Sequence, residues 1–112
     1  MNEKSDDCAR CCIAELMGLN PMAVPHFVAE HGGQWRTALS DWLRPRNLGL
    51  LNVPRDIYWP GKILVCGPTK RGKDHHMVIF HNGTLFYDPH PSGVGLTRIE
   101  KQYLLVPLDL AL

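Results

Sequence analysis

The 112-residue sequence lacks the long apolar runs and the excess charge that mark several large classes of protein. No apolar stretch reaches the roughly 18 residues that a membrane-spanning helix needs, and the opening residues, MNEKSDD, lack the apolar centre of a secretory signal. The net charge is only +1, so no overall field favours nucleic acid or an anionic membrane as a partner. We therefore expect a cytoplasmic protein that binds neither.

The sequence also lacks repeats, low-complexity tracts and an evident linker, so we expect a single domain over residues 1–112. Cysteines are few: three lie together at Cys8, Cys11 and Cys12, and Cys66 lies far from them. Disulfides are rare in a reducing cytoplasm. A catalytic thiol, a metal site and buried free thiols are therefore the three explanations to weigh.

The first half of the chain is typical of helices and the second half of strands. Residues 6–18 predict a helix that Asp6 or Asp7 caps and Gly18 ends. A helical turn is expected after Asn20-Pro21, and further helix over 26–31 and 34–43. Short apolar runs predict strands at 48–53, 62–66, 75–81, 84–87 and 103–106.

This order predicts an α+β fold in which N-terminal helices pack on a small antiparallel β-sheet. Asn82-Gly83, between two of the strands, is a strong signal for a hairpin turn. The segment 67–74 is rich in Gly and charged residues, and we expect it to be a mobile loop.

A reactive thiol needs a lowered pKa, a base within hydrogen-bond reach and donors for the oxyanion that forms on its substrate. Cys8 lies at the N-terminus of the first predicted helix, where backbone N–H groups and the helix dipole favour a thiolate. Cys11 and Cys12 lie deeper in that helix and are expected to pack in the core. Cys8 is therefore the candidate nucleophile.

The predicted hairpin supplies candidate partners for this thiol. His75 and His76 begin one strand, and Asp88 follows the other. A plain two-residue turn at Asn82-Gly83 would put His76 and Asp88 on opposite faces, whereas a three-residue loop would set them directly across from each other. If the two side chains act together, the hairpin must contain that loop or a β-bulge.

Four further residues are candidates for contacts with a substrate: Lys70, Arg71, His75 and His90. The first two lie in the predicted loop and could meet an acidic group, although such a charged run is more often simply solvated. His90 lies between two prolines and has a second explanation as a rigid loop residue.

The order of several short motifs resembles the papain-like cysteine peptidases. They are Asp7-Cys8 at a helix start, His76-Met77-Val78 on a strand and Tyr87-Asp88-Pro89 after the next strand. The pattern is most similar to that of the bacteriocin-processing double-glycine leader peptidases. Small uncharacterised papain-like proteins of phages and bacteria are similar over nearly the whole chain, including the stretches at 24–27, 67–68 and 88–92.

The resemblance implies a papain-like peptidase or amidase in which Cys8 is the nucleophile, His76 the base and Asp88 the residue that orients the histidine. It implies a peptide or protein substrate and no cofactor or metal. In the family, a glutamine shortly before the nucleophile contributes its amide to the oxyanion hole. Here Asn2 stands at that position, with the same amide on a shorter arm.

Three other functions stay open. Cys8, Cys11 and Cys12 could bind a metal together with His75, His76 or His90, although the spacing is poor for such a site. The chain could be an inactive papain-like binding protein, for example a phage-encoded inhibitor of a host protein. A thioredoxin-like use of Cys8-Ala9-Arg10-Cys11 is disfavoured because no strand precedes the motif.

Overall fold

The computed structural model describes residues 8–70 and 72–108, and over 72–74 it describes the backbone. The predicted caps Asp6 and Asp7 lie outside the described residues. Three α-helices come first in the chain: α1 (Cys8–Met17), α2 (Phe27–His31) and α3 (Trp35–Leu43). Single turns of 3-10 helix occur at Pro21–Ala23, Gly32–Gln34 and Arg44–Arg46.

Five strands follow: β1 (Leu48–Val53), β2 (Lys62–Thr69), β3 (Gly72–His81), β4 (Thr84–Tyr87) and β5 (Lys101–Pro107). They form one antiparallel sheet in the order β1-β5-β2-β3-β4, so β1 and β4 are its edges. The predicted α+β class, with N-terminal helices packed on an antiparallel sheet, is confirmed.

Local signals account for the ends of the helices. Gly18 ends α1 with a φ of 68°, a conformation that favours glycine. The side chain of Asn20 accepts a hydrogen bond from the Met22 N–H at 2.9 Å, and Pro21 is the first helical residue, as predicted. His26 caps α2 by accepting from the Ala29 N–H at 3.1 Å through Nδ1.

The larger core lies between the helices and one face of the sheet. Cys12 and Ile13 of α1 and Leu39 and Leu43 of α3 are fully buried there, against strand residues that include Ile79. Among the described residues, no single helix is long and apolar enough to cross a membrane. Only Cys8–Met17 and Pro21–Arg46 taken together pass that test, and they are bent by 102°.

The opposite face of the sheet is covered by the connection that runs from β4 to β5. Ile63, Val65 and Val78 are buried on this face, and Leu96 and Ile99 of the connection pack against them. This connection carries Asp88 and crosses back over β2 and β3, so it positions part of the candidate site.

The prediction of a loop at 67–74 is wrong. β2 extends to Thr69 and β3 begins at Gly72, so most of this segment belongs to the two strands. Pro68 pairs with His75, and the register shifts between Pro68 and Thr69. The apolar parts of β2 and β3 pair with each other, and this pairing continues into the Gly-rich and charged residues that follow. Such residues have low β-propensity, but whether they form a strand depends more on their neighbours across the sheet than on the residue type.

Candidate active site

The hairpin of β3 and β4 contains a two-residue turn and an irregular register. Asn82 and Gly83 have φ values of 56° and 80°, and His81 pairs with Thr84. The register then shifts between Phe80, which pairs with Leu85, and Ile79, which pairs with Tyr87. Phe86 is therefore an extra residue on β4. The prediction that the hairpin contains a three-residue loop or a β-bulge is therefore met by the bulge.

The bulge brings Asp88 to the face of the hairpin that carries His76, although not directly opposite it. The pairing ends at Ile79 and Tyr87, and continuing its register by one residue places Asp88 across from Val78. Val78 and His76 share one face of β3 because side chains alternate along a strand. The carboxylate thus meets the imidazole diagonally, within the range that cross-strand neighbours span.

His76 and Asp88 form a short and buried hydrogen bond. Nε2 of His76 lies 2.7 Å from Oδ1 of Asp88, and the side chains are 10% and 3% exposed. An ionised carboxylate can only accept, so His76 donates its Nε2–H. In the neutral ring the lone pair then lies on Nδ1, which is the nitrogen that can take a proton from a neighbouring group.

Two backbone donors complete the surroundings of the Asp88 carboxylate. The N–H of His90 donates to Oδ1 and that of Gly95 donates to Oδ2, each at 2.9 Å. Burial by itself raises the pKa of Asp88, but the hydrogen bonds from His76, His90 and Gly95 outweigh it and hold the pKa below its usual value. Asp88 is therefore ionised, as a residue that orients a histidine must be.

His90 packs behind His76. The residue is 7% exposed, and its ring meets the His76 ring edge-to-face, with the centroids 6.4 Å apart. Its Nδ1 accepts from the Ser92 N–H at 3.0 Å and lies 2.8 Å from the Ser92 hydroxyl, which donates to it. The burial of His90 leaves little of it available to a substrate. A substrate contact by His90 stays a prediction.

Cys8 is the first residue of α1, half-buried at the margin of the main core. One turn along α1, the Cys12 thiol donates to the carbonyl of Met77, with Sγ 3.4 Å from the oxygen. Every second residue of β3 directs its backbone N–H and C=O groups to the same side of the strand. Because His81 and Ile79 pair with β4, the carbonyl of Met77 also points to the side on which β4 lies, although β4 itself ends before it reaches Met77. Helix α1 therefore contacts β3 at Met77, the residue next to His76 in the chain, where β3 extends beyond β4.

Two other thiols in this region, those of Cys12 and Cys66, are buried and kept protonated. Burial, followed by the nearby Cys8 and Cys66, raises the pKa of Cys12 well above its usual value. Burial raises the pKa of Cys66 to about 12, with Cys8 adding to the effect while Lys101 and Arg36 oppose it. Since the thiolate is the reactive form, both side chains are protected by pKa as well as by position.

We expect Cys12 and Cys66 to resist alkylation by iodoacetamide in the native protein at about pH 8, because their thiolates are suppressed. The measurement is mass spectrometry of peptides from native protein, compared with protein labelled in urea. All four cysteines should label after unfolding. Native labelling of Cys12 or Cys66 at the rate of glutathione would contradict the burial that the structure assigns to them.

The remaining candidate residues lie in different places. His75 points away from His76 and is exposed; its Nε2 lies 2.5 Å from Glu100, which also accepts from Arg98. Lys70 is exposed in the turn between β2 and β3. Asn2 and Arg71 lie outside the described residues. Within residues 8–70 and 72–108, no group of three or more His, Cys, Asp and Glu side chains could hold a metal ion.

The roles of Ser92 and Gly95 were not predicted from the sequence. The signal for Ser92 was present in the stretch from Asp88 to Gly93, where Pro, Ser and Gly favour tight turns in which short side chains hydrogen bond to nearby backbone. Gly95 acts through its backbone N–H, and nothing in a residue name identifies such a donor.

Comparison with known proteins adds no relative: no protein-family model, no curated protein and no solved structure matches the chain.

Proposed function

We propose that the chain is a cysteine-dependent hydrolase of peptide or related amide bonds with a papain-like arrangement of Cys8, His76 and Asp88. The observation that carries the proposal is the buried hydrogen bond between His76 and Asp88, next to the residue at which α1 contacts β3. A buried carboxylate on one ring nitrogen leaves the other to act as a base toward a thiol. The order of the motifs in the sequence supports the same assignment.

In this proposal, Nδ1 of His76 takes the thiol proton of Cys8, and the thiolate attacks the carbonyl carbon of the substrate. The oxyanion that forms is stabilised by backbone N–H groups at the start of α1 and by the amide of Asn2. His76 returns the proton to the leaving amine as the carbon–nitrogen bond breaks and a thioester forms. Water then hydrolyses the thioester, with His76 again as base.

Asp88 has a supporting part in this cycle. It stays ionised because its pKa is held low, and it stabilises the imidazolium that forms when His76 holds the proton. It also fixes the ring so that Nε2 carries the hydrogen and Nδ1 faces the nucleophile. Cys8 is only partly buried, as a residue that must meet a substrate has to be.

The proposal predicts that Cys8 alkylates rapidly at about pH 6, well below the ordinary thiol pKa near 8.5. His76→Ala should slow this labelling about tenfold or more, because the thiolate loses its imidazolium partner. The rate at each pH is read by mass spectrometry of the peptide that contains Cys8, with glutathione as the reference thiol.

His75→Ala is the matched control, because it removes the neighbouring histidine, which binds Glu100 instead. It should leave the labelling of Cys8 unchanged. If Cys8 labels no faster than glutathione in a folded wild-type protein, and His76→Ala has no effect, the hydrolase proposal fails. The chain would then be a binding protein on a similar fold.

A further inference from the structure

One edge of the sheet, β1, offers a row of backbone groups to a further strand. Among the described residues β1 pairs with β5 alone. The Leu108 N–H donates to the Asn47 carbonyl at 2.9 Å. This bond shows which residues of β1 direct their backbone N–H and C=O groups toward β5 and which direct them away from it. Gly49 and Leu51 therefore turn toward β5, and Leu50 and Asn52 direct their N–H and C=O groups outward.

The two edges of the sheet differ in how they resist pairing. Strand β4 has only four residues, is bulged at Phe86 and is followed directly by Asp88-Pro89. Strand β1 has six residues, an unbroken register with β5, and neither a proline nor a charged side chain. Short length, bulges, prolines and charges are the usual protection of an edge, so β1 lacks the features that block addition of a strand.

The polar side of α3 lies beside this edge and forms a groove with it, the β1 groove. Arg36, Ser40 and Arg44 line one side, and Leu51 and Asn52 line the other, around a hollow of about 560 Å³. A second hollow of about 250 Å³ continues past the end of β1 and also contacts Arg36 and Asn52. Leu51 is 51% exposed.

The charge of the β1 groove is positive. Two carboxylates line it and both are already paired: Asp41 with Arg44 at 3.2 Å, and Glu100 with Arg98 at 2.9 Å. Arg55 and Lys101 line the second hollow together with Arg36. Within the described part of the chain, none of these three cations has a carboxylate within ion-pair distance. An acidic ligand would therefore complement the groove.

We propose that the β1 groove docks an extended, acidic segment of a partner polypeptide, which adds to the sheet as a sixth strand. Its backbone pairs with Leu50 and Asn52, and acidic side chains at every second position lie on the α3 side, where they meet Arg36. A second copy of this chain fits the charge less well. An antiparallel pair of β1 strands would bring Arg36 and Arg44 of each copy toward those of the other.

The probe is a displayed library of random dodecapeptides, selected on the immobilised full chain. Enriched peptides should carry acidic residues at alternating positions without proline between them. One such peptide is then labelled with fluorescein, and its Kd is measured by anisotropy. Asn52→Pro should raise the Kd about tenfold or more, because proline removes a donor that points outward while the pairing with β5 is kept.

Matched variants distinguish the contributions of the backbone, the side chain and the charge to peptide binding. Asn52→Ala should leave the Kd unchanged, since it retains the N–H. Arg36→Glu should weaken binding at least as much as Asn52→Pro, and it decides the matter if Asn52→Pro proves unfolded by circular dichroism. Lys62→Glu makes the same change of charge near the opposite edge, beside Phe86, and should have no effect.

Several outcomes would overturn the proposal. Selection could yield no peptides, or peptides that are basic or purely apolar, or binding that is insensitive to both Asn52→Pro and Arg36→Glu. Sedimentation could show a dimer that Asn52→Pro dissociates, in which case the edge is an interface between copies. Binding of a single-stranded RNA oligomer in place of peptide, lost in Arg36→Glu, would assign the groove to nucleic acid.

Discussion

Asp88→Ala is expected to lower the free energy of unfolding by about 3 kcal/mol, because it leaves three donors around a buried carboxylate without an acceptor. Those donors are the Nε2–H of His76 and the backbone N–H groups of His90 and Gly95. The measurement is urea unfolding followed by circular dichroism. The same variant should lower the alkylation rate of Cys8, since His76 loses the group that orients it.

Asp88→Asn is the companion variant, because its amide oxygen can still accept from the backbone while the charge is removed. The carboxylate has a lower pKa in the folded than in the unfolded chain, so its contribution is complete above about pH 4, the ordinary Asp value, and is lost as the pH falls through the folded-state pKa. The stability difference between wild type and Asp88→Asn should therefore shrink in acid. A difference independent of pH would refute this account of Asp88.

Gly67→Ala is expected to destabilise the fold by a similar amount, about 3 kcal/mol, by a steric route. A Cβ at this position would lie 2.1 Å from the carbonyl oxygen of Arg98, so the backbone must move. The segment cannot easily withdraw, because the Thr97 N–H donates to Pro68 and the Glu100 N–H donates to Cys66, on either side of Gly67. Movement there would also disturb the Gly95 donor to Asp88.

Gly33→Ala is the control for Gly67→Ala, since a Cβ at Gly33 meets nothing within 4 Å. Its thermal midpoint should stay the same or rise slightly, because alanine restricts the unfolded chain. Equal stability of Gly67→Ala and wild type would show that the connection from β4 to β5 does not approach β2 at Gly67 as closely as the structure indicates.

Much of the fold could be predicted because local signals and burial agree. The bounds of β1 and β4 follow from apolar runs between turn residues. The C-terminal end of α1 follows from Gly18, and the start of the turn after Asn20 follows from capping chemistry. The extra length of β2 and β3 could not be predicted, since Pro68 and its neighbours take strand geometry from their partners across the sheet.

For the candidate site, the sequence indicated which residues to compare but not how they meet. The requirement for either a three-residue loop or a bulge followed from the alternation of His76 and Asp88 across the hairpin. The direction of the register shift did not, because it depends on Phe86 being accommodated as an extra residue. The burial of His90 and the donor from Gly95 depend on the path of residues 89–100, which no local pattern specifies.

The separations along the chain also imply an order of assembly. His76 and Asp88 are twelve residues apart across one hairpin, whereas the contact that seats α1, from Cys12 to Met77, joins residues 65 apart. Isolated hairpins form in roughly 1–10 μs, and distant contacts form more slowly because a longer loop must close first. We therefore expect the histidine–carboxylate pair to exist before the thiol reaches it. Under the proposed function, a chain still folding would hold its base without its nucleophile, and a reactive Cys8 would mark molecules that have finished folding.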